Sequence, residues 1–155
     1  MMFLNPDVFS AVMSNECRDE QISVLVNQES LQEERIQALF QLMNIADSKS
    51  LDAICRCLKE DECEIVRHEA AFVLGETAAY EIIENLKDAA RGDVSGIVRH
   101  EAILALGTIA NKEVLPFLEE MMASPVKLVS ESAKIAKQRI EVVPKPYRGP
   151  DYFNE

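Results

Sequence analysis

Three eight-residue stretches, RIQALFQL from Arg35, RHEAAFVL from Arg67 and RHEAILAL from Arg99, begin 32 residues apart. Ala38, Ala70 and Ala102 fall in one column, and Leu42, Leu74 and Leu106 in another. A weaker copy, VSESAKIA at 129–136, follows Val98 by 31 residues. A period near 32 is too long for a heptad and too short for a domain. It fits one helix–turn–helix unit, which cannot bury its apolar face alone and therefore stacks on copies of itself.

Local signals agree. Apolar residues at 65, 66, 70, 73 and 74 follow helical spacing. Gly75 and Gly107 stand where the corresponding helices would close on a residue of positive φ. A second helix is expected after each first one, over Lys49–Lys59, Tyr80–Arg91 and Lys112–Met122, with Pro116 in the first turns of the last. Helices are also expected over 17–28 and 126–140, and no alternating strand pattern appears. The spacing predicts an all-α, HEAT-like helical-repeat solenoid of about four helical hairpins over residues 1–142, its outer repeats partial and serving as caps. The Pro-rich C-terminal tail, 143–155, is expected to be non-helical because of Pro144, Pro146, Gly149 and Pro150. Tyr147, Tyr152 and Phe153 leave two readings of it: a solvated end, or an arm that packs on a neighbouring subunit or covers a site.

Hydrophobic residues make up 48% of the chain and charged residues 28%, a globular balance. The formal charge of −11 argues against nucleic acid, whose phosphates it would repel. The same field would steer a basic protein or a cationic small substrate toward the chain. No apolar run reaches the roughly 18–20 residues of a membrane span, and MMFLNPDVFSAVMS lacks a basic leader segment. Cys17, Cys55, Cys57 and Cys63 form no CxxC pair and read as reduced, packing thiols of a cytoplasmic protein.

The chain has two histidines, His68 and His100, and both sit in the hexamer IVRHEA, at 65–70 and 97–102. Repeat packing requires the small and apolar residues of that hexamer. It makes no demand for His followed by Glu: the copy at 35–42 carries Ile36 and Gln37 there with its apolar frame intact. Stacked helices lie about 8–10 Å apart, so equivalent positions can reach one ion. His68 with His100 and Glu101 would give two imidazoles and one carboxylate, a set used by non-haem iron and open to zinc, manganese or nickel. Glu69 points about 100° from His68 and suits an orienting acceptor, a bridge or a substrate contact. The other reading is a polar network between repeats. Arg67 and Arg99 are expected to pair with acidic residues of the neighbouring unit, and Asp61, Glu62 and Glu64 to form an acidic helix N-terminus.

VRHEAAFVLGE at 66–76 and VRHEAILALGTIA at 98–110 resemble the deoxyhypusine hydroxylase family, as do ERIQALFQL at 34–42 and SPVKLVSESAKIA at 124–136. The resemblance covers about residues 30–142. It implies a HEAT-like di-iron monooxygenase that uses dioxygen and an electron source to hydroxylate the deoxyhypusine side chain of translation factor 5A. Carried over by motif, His68, His100 and Glu101 would hold iron (Fe2+), and Glu69 would hold the cationic substrate amine. The family chain has two such halves and four His-Glu motifs, whereas this one has a single half. The resemblance therefore leaves three outcomes: a homodimer that completes the di-iron centre around a two-fold axis, with one iron per chain; a single metal doing other chemistry; or a non-catalytic protein-interaction scaffold.

Overall fold

The computed structural model describes residues 6–142, with side chains from residue 15 onward; the tail expected at 143–155 lies outside the described residues. The chain forms α1 (Pro6–Val26), α2 (Gln32–Ile45), α3 (Ser48–Glu60), α4 (Glu64–Thr77), α5 (Ile83–Gly92), α6 (Gly96–Ile109), α7 (Leu115–Met122) and α8 (Lys127–Val142). Short 3-10 turns at Tyr80–Ile82 and Lys112–Val114 lead into α5 and α7. Among the described residues there is no strand. The expected second helices are therefore present, and two of them open with a tighter turn.

The helices form two rows. Along the first, α2 packs on α4, α4 on α6 and α6 on α8. On the other side α1, α3, α5 and α7 back them, each packing against first-row helices. The columns of the repeat become the core between the rows: Ala38, Leu42, Ala70, Leu74, Ala102 and Leu106 are all fully buried. Side-chain caps open the second helix of two of the repeats. Asp47 caps α3 by accepting the Ser50 N–H at 2.8 Å, and Asn111 accepts that of Glu113 at 2.9 Å. Pro116 occupies the second position of α7, where its missing N–H has no intrahelical partner to lose.

The glycines behave differently from the expectation. Gly75 and Gly107 lie inside α4 and α6, and the left-handed residues that end the first-row helices are Ala46, Ala78 and Ala110, at φ 48, 52 and 55°. A Cβ on Gly75 would stand 2.9 Å from the Cα and Cβ of Ala105, and one on Gly107 equally close to Ala136. Those glycines let one first-row backbone approach the next, and the turn is left to alanine.

An Arg–Asp ladder joins successive repeats. Arg35 reaches Asp61 at 3.1 Å, and Arg67 reaches Asp93 at 2.8 Å. Each Asp also folds its own loop by accepting the N–H two residues on, from Cys63 and from Ser95. Asp61 is fully buried, so it is a strut of the ladder rather than part of a solvated acidic helix end; Glu64 alone of the three lies in the first turn of α4. The ladder stops at Arg99. The position matching Asp93 is Ser124, 31 residues on, and the Arg99 guanidinium instead donates to the Ala90 carbonyl at 3.0 Å. The expected ion pair thus forms at Arg67 and, among the described residues, not at Arg99.

Candidate metal centre

His68 and Glu69 project from α4, and His100 and Glu101 from α6, where these helices pack side by side. The close approach at Gly75 draws α4 and α6 together. His68 Nε2 faces Glu101 Oε2 at 3.3 Å across the junction, and its Nδ1 lies 3.3 Å from Glu69 Oε1. His68 is therefore flanked by a carboxylate on each side. Glu101 is the more enclosed of the two, with 14% of its side chain exposed against 26% for Glu69.

His100 turns to the next helix. Its Nδ1 sits 2.6 Å from the hydroxyl of Ser132 on α8, and that hydroxyl is 2.6 Å from the Leu128 carbonyl. Ser132 occupies the column of Glu101, 31 residues on. Each histidine thus meets the same position of the following repeat, a carboxylate in one case and a hydroxyl in the other. The role of Ser132 was not read from the sequence, because the fourth copy keeps little of the motif; its column was the available signal.

The fit to a metal rests on these contacts. Two ligands on one ion, each at about 2.1 Å, stand about 3.0–3.4 Å apart in octahedral or tetrahedral geometry. The gap between His68 Nε2 and Glu101 Oε2 matches that edge. A neutral His68 whose Nδ1–H points at Glu69 would aim an unprotonated nitrogen at a carboxylate, an arrangement that a cation between them stabilises. Among the described residues, no three His, Cys, Asp or Glu side chains form a closed group for an ion. The structure brings His68 and Glu101 together, keeps Glu69 beside His68, and holds His100 against Ser132.

Apolar side chains border these residues along the face. Ile65 and Phe72 lie one turn before and after the His68–Glu69 pair; Ile97 and Leu104 do the same for His100–Glu101. Leu128 and Ile135 continue both rows on α8. Of these six, all but Leu104 are exposed. A separate cleft of about 320 Å³ lies between α3 and α5, lined in part by Cys55, Lys59, Asn85 and Asp88. Burial, with Asp52 nearby, pushes the Cys55 thiol up to about 12, and burial with Asp61 does the same to Cys57. Both thiols are therefore protonated at neutral pH and serve packing.

Fold and site define an α-helical repeat protein with a His–carboxylate face on its first row. A profile of the HEAT repeats matches residues 51–136, and the chain belongs to that family. Within it, the chain is similar to deoxyhypusine hydroxylase: 48% identical over 42 residues to the Dictyostelium discoideum protein, covering 27% of this chain and 13% of that one. The human deoxyhypusine hydroxylase structure, in complex with glycerol, superposes with a TM-score of 0.82 at 28% identity, over 91% of this chain and 50% of the human chain. This chain thus spans half the length of that relative. Among the described residues, no helix is long and apolar enough to cross a membrane.

Proposed function

We propose that this chain is an iron-dependent oxygenase of the deoxyhypusine hydroxylase type, hydroxylating an amine-bearing side chain on a protein, and that two copies pair to complete the site. The observation that carries the proposal is the His68–Glu101 pair, an imidazole and a carboxylate converging from adjacent repeats at 3.3 Å. The likeness to human deoxyhypusine hydroxylase, with a TM-score of 0.82 at 28% identity, supports the reaction class.

In this reading His68, Glu101 and His100 hold ferrous iron, one per chain. When bound, the iron supplies activation of dioxygen, which side chains alone cannot perform. The overall reaction converts a C–H bond to C–OH with dioxygen, two electrons from an external reductant and two protons, releasing water. The protein's own tasks are binding and orientation. Glu69 keeps a quarter of its side chain open to solvent, so its second oxygen can accept a charge-assisted hydrogen bond from the substrate ammonium. The charge of −11 draws a basic substrate segment of the translation factor 5A kind. The exposed Ile65, Ile97 and Leu128 would exclude water around the site once a second chain covers them.

A second reading is a non-catalytic docking scaffold, favoured by the position of His68 between two carboxylates, which also suits a polar strut between repeats. One experiment separates the two. The protein is loaded anaerobically with ferrous iron, and iron content, mass in solution and turnover of deoxyhypusine-bearing factor are measured. About one iron per chain in a dimer, lost in His68→Ala and Glu101→Ala but kept in Glu69→Gln, is the expected result. An iron-free monomer whose His68→Ala variant is unchanged in every readout leaves the scaffold. Equal iron loss in Glu69→Gln and Glu101→Ala would contradict the roles given to the two carboxylates.

A further inference from the structure

We infer that Ser132 is a positioning residue that locks His100 in its Nδ1–H tautomer, so that Nε2 is the nitrogen presented for coordination. The argument begins with proton accounting. The Ser132 hydroxyl has one proton, and its oxygen lies 2.6 Å from the Leu128 carbonyl, one helical turn earlier. A carbonyl can only accept, so that proton is committed to Leu128. The oxygen can then serve His100 Nδ1, 2.6 Å away, only as an acceptor. Nδ1 must carry the proton, and a neutral imidazole protonated there has its lone pair on Nε2.

Burial makes this a fixed choice. Ser132 is 1% exposed, and its neighbours Ala133 and Val129 are fully buried, so no solvent competes for the hydroxyl. The register adds a second observation. Ser132 stands in the column of Glu101, which faces His68 Nε2; at Ser132 the same position engages Nδ1 instead. His68 carries a matching acceptor at Nδ1, the Glu69 carboxylate. Both histidines therefore have Nδ1 engaged by the protein, one by a carboxylate on its own helix and the other by a hydroxyl from the next repeat. The last repeat, which lacks the His-Glu pair, thereby contributes to the site through its hydroxyl.

The inference rests on the metal reading above, and its test keeps the two apart. Two-bond proton–nitrogen correlation spectra of the metal-free full-length protein report which ring nitrogen of His100 is protonated, with His100→Gln supplying the assignment. The expected pattern is Nδ1–H in the wild type, moving toward Nε2–H, the form free imidazole prefers, in Ser132→Ala. Ser130→Ala, on the same helix, leaves it in place. Competition with a ferrous chelator is expected to show iron binding about 10- to 100-fold weaker in Ser132→Ala. Nε2–H in the metal-free wild type overturns the inference whatever the iron affinity, and so does iron affinity within twofold of wild type in a folded Ser132→Ala. A wild type that takes up no iron refutes the metal reading, while the metal-free spectrum still decides the tautomer.

Discussion

At the scale of single residues, glycine and alanine exchange the positions that local preference would give them. Gly75 sits in the last turn of α4, still helical, where glycine is disfavoured by up to about 1 kcal/mol relative to alanine. Ala78 holds φ at 52°, where a Cβ costs about 1–2 kcal/mol. The approach of α4 to α6 explains the first, since a Cβ at Gly75 would meet backbone at 2.9 Å and backbone yields little. Gly75→Ala is therefore expected to lower stability by about 1–3 kcal/mol, overpacking outweighing the gain in helix propensity. Gly92→Ala meets nothing within 4 Å at the end of α5 and should raise stability by up to about 1 kcal/mol. Ala78→Gly should also be stabilising, by about 0.5–1 kcal/mol. Urea denaturation of the three variants checks the signs, and a gain for Gly75→Ala would mean the two helices are not in close contact.

At the scale of elements, charged side chains set how one repeat enters the next. Asp61 is buried against Arg35, so Asp61→Asn leaves a guanidinium without its counter-charge and should cost about 3 kcal/mol in urea unfolding. Asp47 acts at a helix start. Burial alone would raise its pKa, but the Ser50 N–H and the Arg18 guanidinium outweigh that and hold the carboxyl below its usual range. A depressed folded pKa gives stability that is full above the unfolded value near 4 and lost as pH falls through the folded one. Asp47→Ala should thus cost about 1 kcal/mol at pH 7, and its difference from wild type should shrink below about pH 4. Thermal melts from pH 7 to 2.5 test this; a gap constant across that range would mean that the Asp47 charge plays no part. These elements also mark how far the sequence could be read. The period, the helix pairs and the His-Glu columns were legible because they recur in register. Asp61 and Asp93 recur too, but only contact tells a buried strut from a solvated helix end. Gly75 was assigned a turn because local preference was visible and the neighbouring backbone was not. Ser132 was missed because VSESAKIA preserves the packing residues and loses the motif.

At the scale of the whole molecule, the question is what covers the face that carries His68 and His100. Ile65, Ile97, Leu128, Phe72 and Ile135 are each 38–51% exposed and lie in two rows along it, bordering the polar residues. Such rows of apolar surface around a polar centre suit burial against a partner. A second copy related by a two-fold axis would set like rows against each other and bring a second His-Glu set opposite the first. A stable pair of this kind would bury more than about 1,000 Å² in total. Ile97→Asp places charge in the middle of one row and Ile135→Asp at the α8 end of the other, both on exposed positions, so the folded chain should tolerate them within about 0.5 kcal/mol. If two copies pair through this face as proposed, the combined variant is expected to be a monomer in sedimentation experiments. On the same proposal, turnover should fall with the dimer fraction, because a site shared between two chains would be broken while His68 and Glu101 remain intact in each. Control substitutions at Val94, 96% exposed in the loop before α6, should alter neither mass nor turnover. A double variant that stays dimeric with wild-type activity would place the contact on another surface and leave this face to the substrate protein.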